Sequence, residues 1–257
     1  TVLYTGNEST RSITGVGFSP DLLWIKGRST SQHHNLYDAL RSDSDGPRRL
    51  YSSLAIAEES TVYSGTTNVS SLDADGFTMG DGTSVNENGE TFVAWNWLAG
   101  TAFSNDASAT SVGTIDSSGQ VNTKAGFSII KYSGSNSGSS FAHGLSAAPE
   151  FIIIKQRTEA ANWTVAATIS GWTYSSDYLF LNTTAAKATN GGSSLFTSAP
   201  SSTVVNIGGG SLTSTAGEDL IAYCFHSVEG YSKVGTYLAT EMQMARLFSQ
   251  GSARLGL

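Results

Sequence analysis

The sequence predicts an all-β protein of two tandem β-sandwich, jelly-roll-like domains. Three observations lead there: an internal repeat, short apolar runs with the period of strands, and glycine-bearing turns between them. The repeat comes first because it sets the domain count. Pro20-Asp21-Leu22-Leu23-Trp24-Ile25-Lys26-Gly27-Arg28-Ser29 matches Pro149-Glu150-Phe151-Ile152-Ile153-Ile154-Lys155-Gln156-Arg157-Thr158 without a gap, at a shift of 129 positions. Gly89-Glu90-Thr91-Phe92-Val93-Ala94-Trp95-Asn96-Trp97 matches Gly217-Glu218-Asp219-Leu220-Ile221-Ala222-Tyr223-Cys224-Phe225 at a shift of 128. Tyr4-Thr5-Gly6 answers Tyr132-Ser133-Gly134, and Leu50-Tyr51 answers Leu179-Phe180. Two anchors at nearly one offset mean two copies of one domain, residues 1–100 and 126–231.

Within the copies, Phe92 to Trp97 and Leu220 to Phe225 place large residues at alternate positions, the period of a half-buried strand. Leu22 to Ile25 and Phe151 to Ile154 are continuous apolar runs between a proline and a lysine, which suits strands buried on both faces. Asp75-Gly76, Asp81-Gly82, Asn88-Gly89 and Asn190-Gly191-Gly192 supply turn chemistry. Helix is nearly absent, with one turn expected over Leu36 to Leu40. Residues 101–125, rich in Ser, Thr, Asn, Asp and Gly, read as a linker with room for one added strand.

A third copy begins at Gly230-Tyr231-Ser232-Lys233 and then loses the pattern, so residues 232–257 are a repeat remnant and a divergent tail. Two readings of that tail stand. Leu238, Met242, Ala245 and Phe248 have helical spacing and predict an amphipathic helix. Alternatively, freely chosen synonymous codons read one register earlier return a close copy of Thr5 to Trp24, which makes the tail a third repeat read out of frame by slippage or an old indel.

Composition narrows the function classes. With 14 Lys plus Arg against 21 Asp plus Glu, the formal charge is −7, and no basic field would hold a phosphate backbone. Nucleic acid is not an expected partner. No apolar run approaches a membrane span, so no membrane insertion is expected, and no secretory signal opens the sequence. The single cysteine, Cys224, excludes an internal disulfide and a cysteine-based zinc cluster.

No residue set calls for a catalytic, metal or cofactor role. His33 and His34 are adjacent, so on a strand they point to opposite sides, and they read as a polar loop. His143 reads as a turn residue, and His226 beside Cys224 has no counterpart pair in the first copy, which disfavours a Cys-His nucleophile. Asp73, Asp75, Asp81 and Glu87 lack EF-hand spacing and vanish in the second copy. Lys26, Arg28, Lys155 and Arg157 recur at strand ends and are expected to pair with acids such as Asp21 and Glu150. The two tryptophans that could serve as glycan-stacking platforms are Trp163 and Trp172, against an alternative in which they belong to the core.

The set Tyr4-Thr5-Gly6-Asn7, Gly15-Val16-Gly17-Phe18-Ser19-Pro20-Asp21-Leu22-Leu23-Trp24-Ile25-Lys26, Asp75-Gly76-Phe77-Thr78, Val93-Ala94-Trp95-Asn96-Trp97 and Glu229-Gly230-Tyr231-Ser232-Lys233 resembles a repeated β-rich domain of unknown function in virion structural proteins of marine bacteriophages. The second copy departs from it at Ser135-Asn136 and at Tyr223-Cys224-Phe225. The resemblance implies a non-enzymatic structural protein made in the host cytoplasm and exposed on the virion, as a head decoration or fibre or as a tail fibre. It also implies contacts with other capsid or tail proteins, homo-oligomers of trimeric type, a role in attachment to host or surface glycans, and no cofactor. The alternatives are a carbohydrate-binding module using Trp163 and Trp172, and a glycan-cleaving tail enzyme using the shared acids Asp21/Glu150 and Glu90/Glu218.

Overall fold

The apolar strands are covered on both faces, and this stacks the chain as four layers of antiparallel sheet. The computed structural model describes residues 1–63, 66–189 and 194–237. Both readings of the Leu238 to Leu257 tail and the Asn190-Gly191-Gly192 turn lie outside the described residues.

The first copy contributes β1 (Val2–Thr5), β2 (Arg11–Thr14), β3 (Leu22–Gly27), β4 (Asn35–Asp38), the short ladder β5 (Ser42–Asp43) with β6 (Gly46–Pro47), β7 (Leu50–Tyr51), the short ladder β8 (Val62–Tyr63) with β9 (Thr66–Thr67), β10 (Val69–Asp73), β11 (Gly76–Met79), the one-turn helix α1 (Thr83–Asn86) and β12 (Thr91–Trp97). After β13 (Thr101–Asn105), α2 (Ala107–Thr110) and β14 (Ser117–Asn122), the second copy contributes β15 (Phe127–Ser133), β16 (Ser139–Ala142), β17 (Phe151–Gln156), β18 (Thr164–Ala167), β19 (Leu179–Phe180), β20 (Val204–Ile207), α3 (Ser211–Ser214) and β21 (Asp219–Phe225).

The strand order β1-β12-β3-β4-β7 of the five-stranded sheet recurs as β15-β21-β17-β18-β19 in the seven-stranded one. Hydrogen bonds repeat with the strands. Tyr4 OH donates to Val85 O at 2.7 Å and Tyr132 OH to Thr213 O at 2.9 Å. Asp21 N donates to Trp97 O and Glu150 N to Phe225 O. Each copy also lays a small sheet over its large one: β10-β11-β2 in the first, β16-β20 in the second.

Three cores alternate with the four layers. Ile13, Leu23, Ile25, Phe77, Met79 and Phe92 fill the first copy, and Ile130, Tyr132, Phe141, Ile152, Ile154 and Ile207 fill the second. Between the copies, Leu22, Leu36 and Leu50 meet Ile129, Ile153, Trp163, Val165, Ile221 and Tyr223. The strand period of two explains the division: Leu23 and Ile25 point to their own copy's core, whereas Leu22 and Trp24 point to the seam. The two sandwiches therefore share a core face to face instead of following one another as beads.

Three local expectations are corrected. Residues 101–125 are not a linker, because β13 and β14 extend the second copy's sheet, pairing in the order β13-β14-β15. The inward positions of β14 are small, Ser117, Gly119 and Val121, and a Cβ at Gly119 would strike the Ile129 carbonyl. Leu36 to Leu40 is not a helical turn: Asn35–Asp38 is strand, fully buried, since coverage on both faces overrides a weak local preference. Of the turn glycines, Gly76 and Gly89 do adopt φ of 144° and 81°, but Gly82 sits at φ −62° as the N-cap of α1. No helix of the described residues is long and apolar enough to cross a membrane.

Candidate site: an aromatic cleft at the seam

One end of the inter-copy core opens to solvent as a cleft of about 500 Å³ lined by Trp24, Trp97, Phe151, Ile153, Trp172 and Phe225, with residues 232–235 along its rim. Alternation places the lining. Trp24 of β3 and its counterpart Ile153 of β17 point to the seam, as do Trp97 at the end of β12 and its counterpart Phe225 at the end of β21. Phe225 stacks on Phe127 with centroids 4.8 Å apart, and Phe151 lies 6.1 Å away. The Trp24 indole donates to His34 Nδ1 at 3.0 Å, which fixes its plane. Burial and the Lys26 charge hold the His34 pKa below the ordinary histidine range, in keeping with an imidazole that accepts. Trp172, partly exposed, carries the Lys187 ammonium 5.5 Å from its ring centroid. Ser232 and Lys233, both exposed, supply polar groups at the rim. Aromatic faces beside a few polar groups can stack on the C–H face of a sugar ring while its hydroxyls stay hydrated or bonded.

The two tryptophans singled out from sequence part company. Trp172 lines this cleft. Trp163 cannot be a platform: it is fully buried in the seam, and its Nε1 donates to the carbonyls of Tyr51 at 2.8 Å and Leu54 at 3.1 Å in the other copy. An amphipathic ring with no exposed face serves packing.

The charged residues are distributed otherwise than their sequence neighbours suggest. Asp21 and Glu150 do not pair with Lys26, Arg28, Lys155 or Arg157. Asp21 Oδ2 accepts from Ala99 N and Gly100 N, both at 2.7 Å, and Glu150 Oε2 from Ser227 N at 2.6 Å, so each fastens the chain leaving its copy's last strand. Lys26 donates to Gly27 O and Thr30 O, and Lys155 to Gln156 O and Glu159 O. Burial, with the Arg41 charge, pulls the Lys155 ammonium down to about 8. Arg28 is exposed, while Arg157 reaches across the seam to Glu58.

That crossing belongs to a buried ionic network that pattern reading missed. Arg41, wholly buried, binds Asp38 at 2.7 Å and Glu58 at 3.1 Å. Arg157 grips both oxygens of Glu58, at 2.8 and 3.1 Å, and Tyr223 OH donates to Asp38 Oδ2 at 2.6 Å. Burial raises the Glu58 pKa, but hydrogen bonding from Arg157 and the charge of Arg41 outweigh it and hold the carboxyl below its ordinary range. A signal was present in the repeat: Asp38, Arg41 and Glu58 stand where the second copy has Ala167, Ser170 and Lys187. Asp38, Arg41 and Glu58 are thus unequal between the copies, whereas Arg157 answers Arg28.

The remaining candidates have structural partners. His33 meets Ser53, and His143 is buried, accepting from Leu145 N and bonded to Ser201 O. Cys224 faces the second copy's core, where burial pushes its thiol up to about 12. Asp75 accepts from Gly15 N and Gly17 N, Asp73 from Ser71 and Thr78, and Asp81 from Thr67 N. Among the described residues no group of three or more His, Cys, Asp or Glu is placed to hold a metal ion.

Compared with known families, residues 1–244 match a model described as a domain of unknown function, DUF7483. The match spans both copies and the seam between them. No curated protein and no solved structure matches the chain.

Proposed function

The chain belongs to the DUF7483 family, whose description assigns no function, and we propose that it is a non-enzymatic structural protein on the outer surface of a bacteriophage particle, a decoration or fibre component of head or tail that holds host or surface glycans in the aromatic cleft. The cleft is the observation that carries the attachment role. It gathers three tryptophans, Trp24, Trp97 and Trp172, at the mouth of a seam locked by buried ion pairs, so a ligand meets preformed faces. The motif resemblance to virion repeats supports the particle assignment. A polar outer surface and a net charge of −7 suit a protein displayed in water.

Immunogold labelling of purified particles with antibody to residues 1–231 tests the location. Gold over the capsid supports a decoration role, gold at the tail supports a fibre, and unlabelled particles overturn the proposal. A glycan array tests the cleft, with Trp172→Ala as the paired variant: binding abolished by the substitution supports it, and unchanged binding removes Trp172 from the site. A carbohydrate-binding module outside any particle would share the cleft and fail the labelling.

A further inference from the structure

We propose a second ligand pocket, confined to the first copy, that takes a single neutral, hydroxyl-rich sugar residue. This inference is independent of the virion reading, since it concerns a binding site the chain carries wherever it resides. The pocket encloses about 290 Å³, at the small end of ligand sites, where a few hundred Å³ is usual, and lies outside the aromatic cleft. Arg49, Glu59, Thr66, Asn68, Thr83 and Ser84 supply its polar lining, beside Tyr51.

Arg49 is 5% exposed. Its guanidinium binds Glu59 Oε2 at 2.8 Å, stacks 4.6 Å from the Tyr51 ring centroid, makes a long contact of 3.4 Å to Ser84 Oγ, and interacts with the buried Tyr37 hydroxyl. Its Nε is shielded from solvent, so the terminal nitrogens carry its contacts on the pocket side. Asn68 Oδ1 accepts from Ser84 Oγ at 2.5 Å, and its amide donates to Thr61 O, which hold that side chain in place. Burying a guanidinium is costly, so the fold needs a reason to keep one there.

The second copy shows that the scaffold does not supply that reason. Arg49 and Glu59 exchange backbone hydrogen bonds in both directions, and so do Tyr178 and Ala188, which fixes them as counterparts. Gly80 N donates to Asn68 O as Gly208 N does to Leu195 O, and α1 answers α3, which places Leu195 opposite Asn68 and Leu212 opposite Ser84. Arg49, Glu59, Asn68 and Ser84 thus become Tyr178, Ala188, Leu195 and Leu212, of which Tyr178, Leu195 and Leu212 pack into the second copy's core. The same backbone is closed by apolar side chains in one copy and lined by an ion pair, an amide and a hydroxyl in the other.

The donor set selects the ligand class. Glu59 offsets the Arg49 charge, so the pocket has no excess positive charge for a phosphate or carboxylate. Planar groups of both polarities beside an aromatic face match vicinal hydroxyls on a ring that also has an apolar face.

The test is saturation-transfer NMR of the full chain against a panel of neutral monosaccharides, glucose, galactose, mannose and N-acetylglucosamine, with glucuronate as the acidic probe. The variants are Arg49→Tyr with Glu59→Ala, which installs residues the second copy already carries at these positions, and Trp172→Ala in the cleft. The expected result is transfer to at least one neutral sugar, weakened about tenfold or more by the pocket variant and unchanged by Trp172→Ala. If the double variant does not fold, Glu59→Gln, at a half-buried position, reads the same loss. Transfer to none of the neutral sugars, transfer confined to glucuronate, or transfer that survives the pocket variants overturns the proposal; loss in Trp172→Ala alone assigns the binding to the cleft and also overturns it.

Discussion

Replacing Glu58 by Gln removes a carboxylate that, with Asp38, joins the two copies, and its cost follows from what it leaves behind. The Glu58 side chain is 9% exposed, and it neutralises Arg41, wholly buried, and Arg157, whose side chain is 19% exposed. In the variant Arg41 keeps Asp38, and Arg157 keeps only Asp219 at 3.6 Å. Breaking a buried pair on one side typically costs about 3–5 kcal/mol, and the partners retained here place the expected loss near the lower end, about 3 kcal/mol at pH 7. The pH dependence carries the sharper information. A carboxyl whose folded pKa lies below its unfolded value, near 4.3, contributes fully above that value and loses its contribution as pH falls through the folded pKa. Wild type should therefore converge on Glu58→Gln in acid. Urea unfolding followed by tryptophan fluorescence, with Trp163 in the seam as a reporter, measures both proteins at pH 7 and at steps below 5. A difference under about 1 kcal/mol at pH 7, or one that stays constant into acid, would refute the claim that this ion cluster binds the copies together.

Three further outcomes are expected. Trp163→Ala should cost about 3–5 kcal/mol in urea unfolding, because it opens a cavity in the seam and removes the indole hydrogen bonds to the Tyr51 and Leu54 carbonyls, whereas Trp172→Ala should cost under about 1 kcal/mol. His143, whose pKa burial pushes down to about 4, stays neutral in the fold while the unfolded chain takes up a proton near 6.5, so stability falls by up to about 3 kcal/mol as pH drops across that window; NMR titration of His143 near 6.5 would contradict this. Cys224, fully buried with its thiol raised to about 12, should resist a disulfide reagent in the native protein and react only on unfolding, as timed thiol release would show.

The elements of each copy were legible because they rest on local pattern. Pro20 and Pro149 mark the entry to β3 and β17, and the unbroken apolar runs behind them report strands covered on both sides. What covers them was not legible. A run such as Phe151 to Ile154 demands two apolar neighbours and does not say that one of them is the other copy. Residues 101–125 misled for the opposite reason: β14 turns Ser117, Gly119 and Val121 inward, and small side chains at a close backbone approach look like linker composition. Trp163 and Trp172 were alike as residue types, and only burial separates them; the position answering Trp163 in the first copy is His34, which accepts from Trp24. The cleft assembles from both copies, so no sequence window contains it.

The seam also bears on how a repeated chain avoids wrong pairings. Counterpart residues, Leu22 and Phe151, Leu36 and Val165, Leu50 and Leu179, Trp97 and Phe225, all belong to the same inter-copy core, so each copy offers the partner its own equivalent face. Such a surface is self-complementary, as in an isologous dimer, and apolar matching alone would let any copy pair with any other, within one chain or between chains. The buried charges remove that freedom. Asp38, Arg41 and Glu58 occur only in the first copy, and Tyr223 and Arg157, which complete their hydrogen bonds, come from the second. Two first copies set face to face would offer Arg28, the counterpart of Arg157, to Glu58 but Trp95 in place of Tyr223 to Asp38, and two second copies would set Arg157 against Lys187 in place of Glu58. Like charges brought together out of water reject the second arrangement, and the first forfeits the hydroxyl that Tyr223 donates to Asp38. The apolar residues thus supply the adhesion, and the ion network specifies first copy against second.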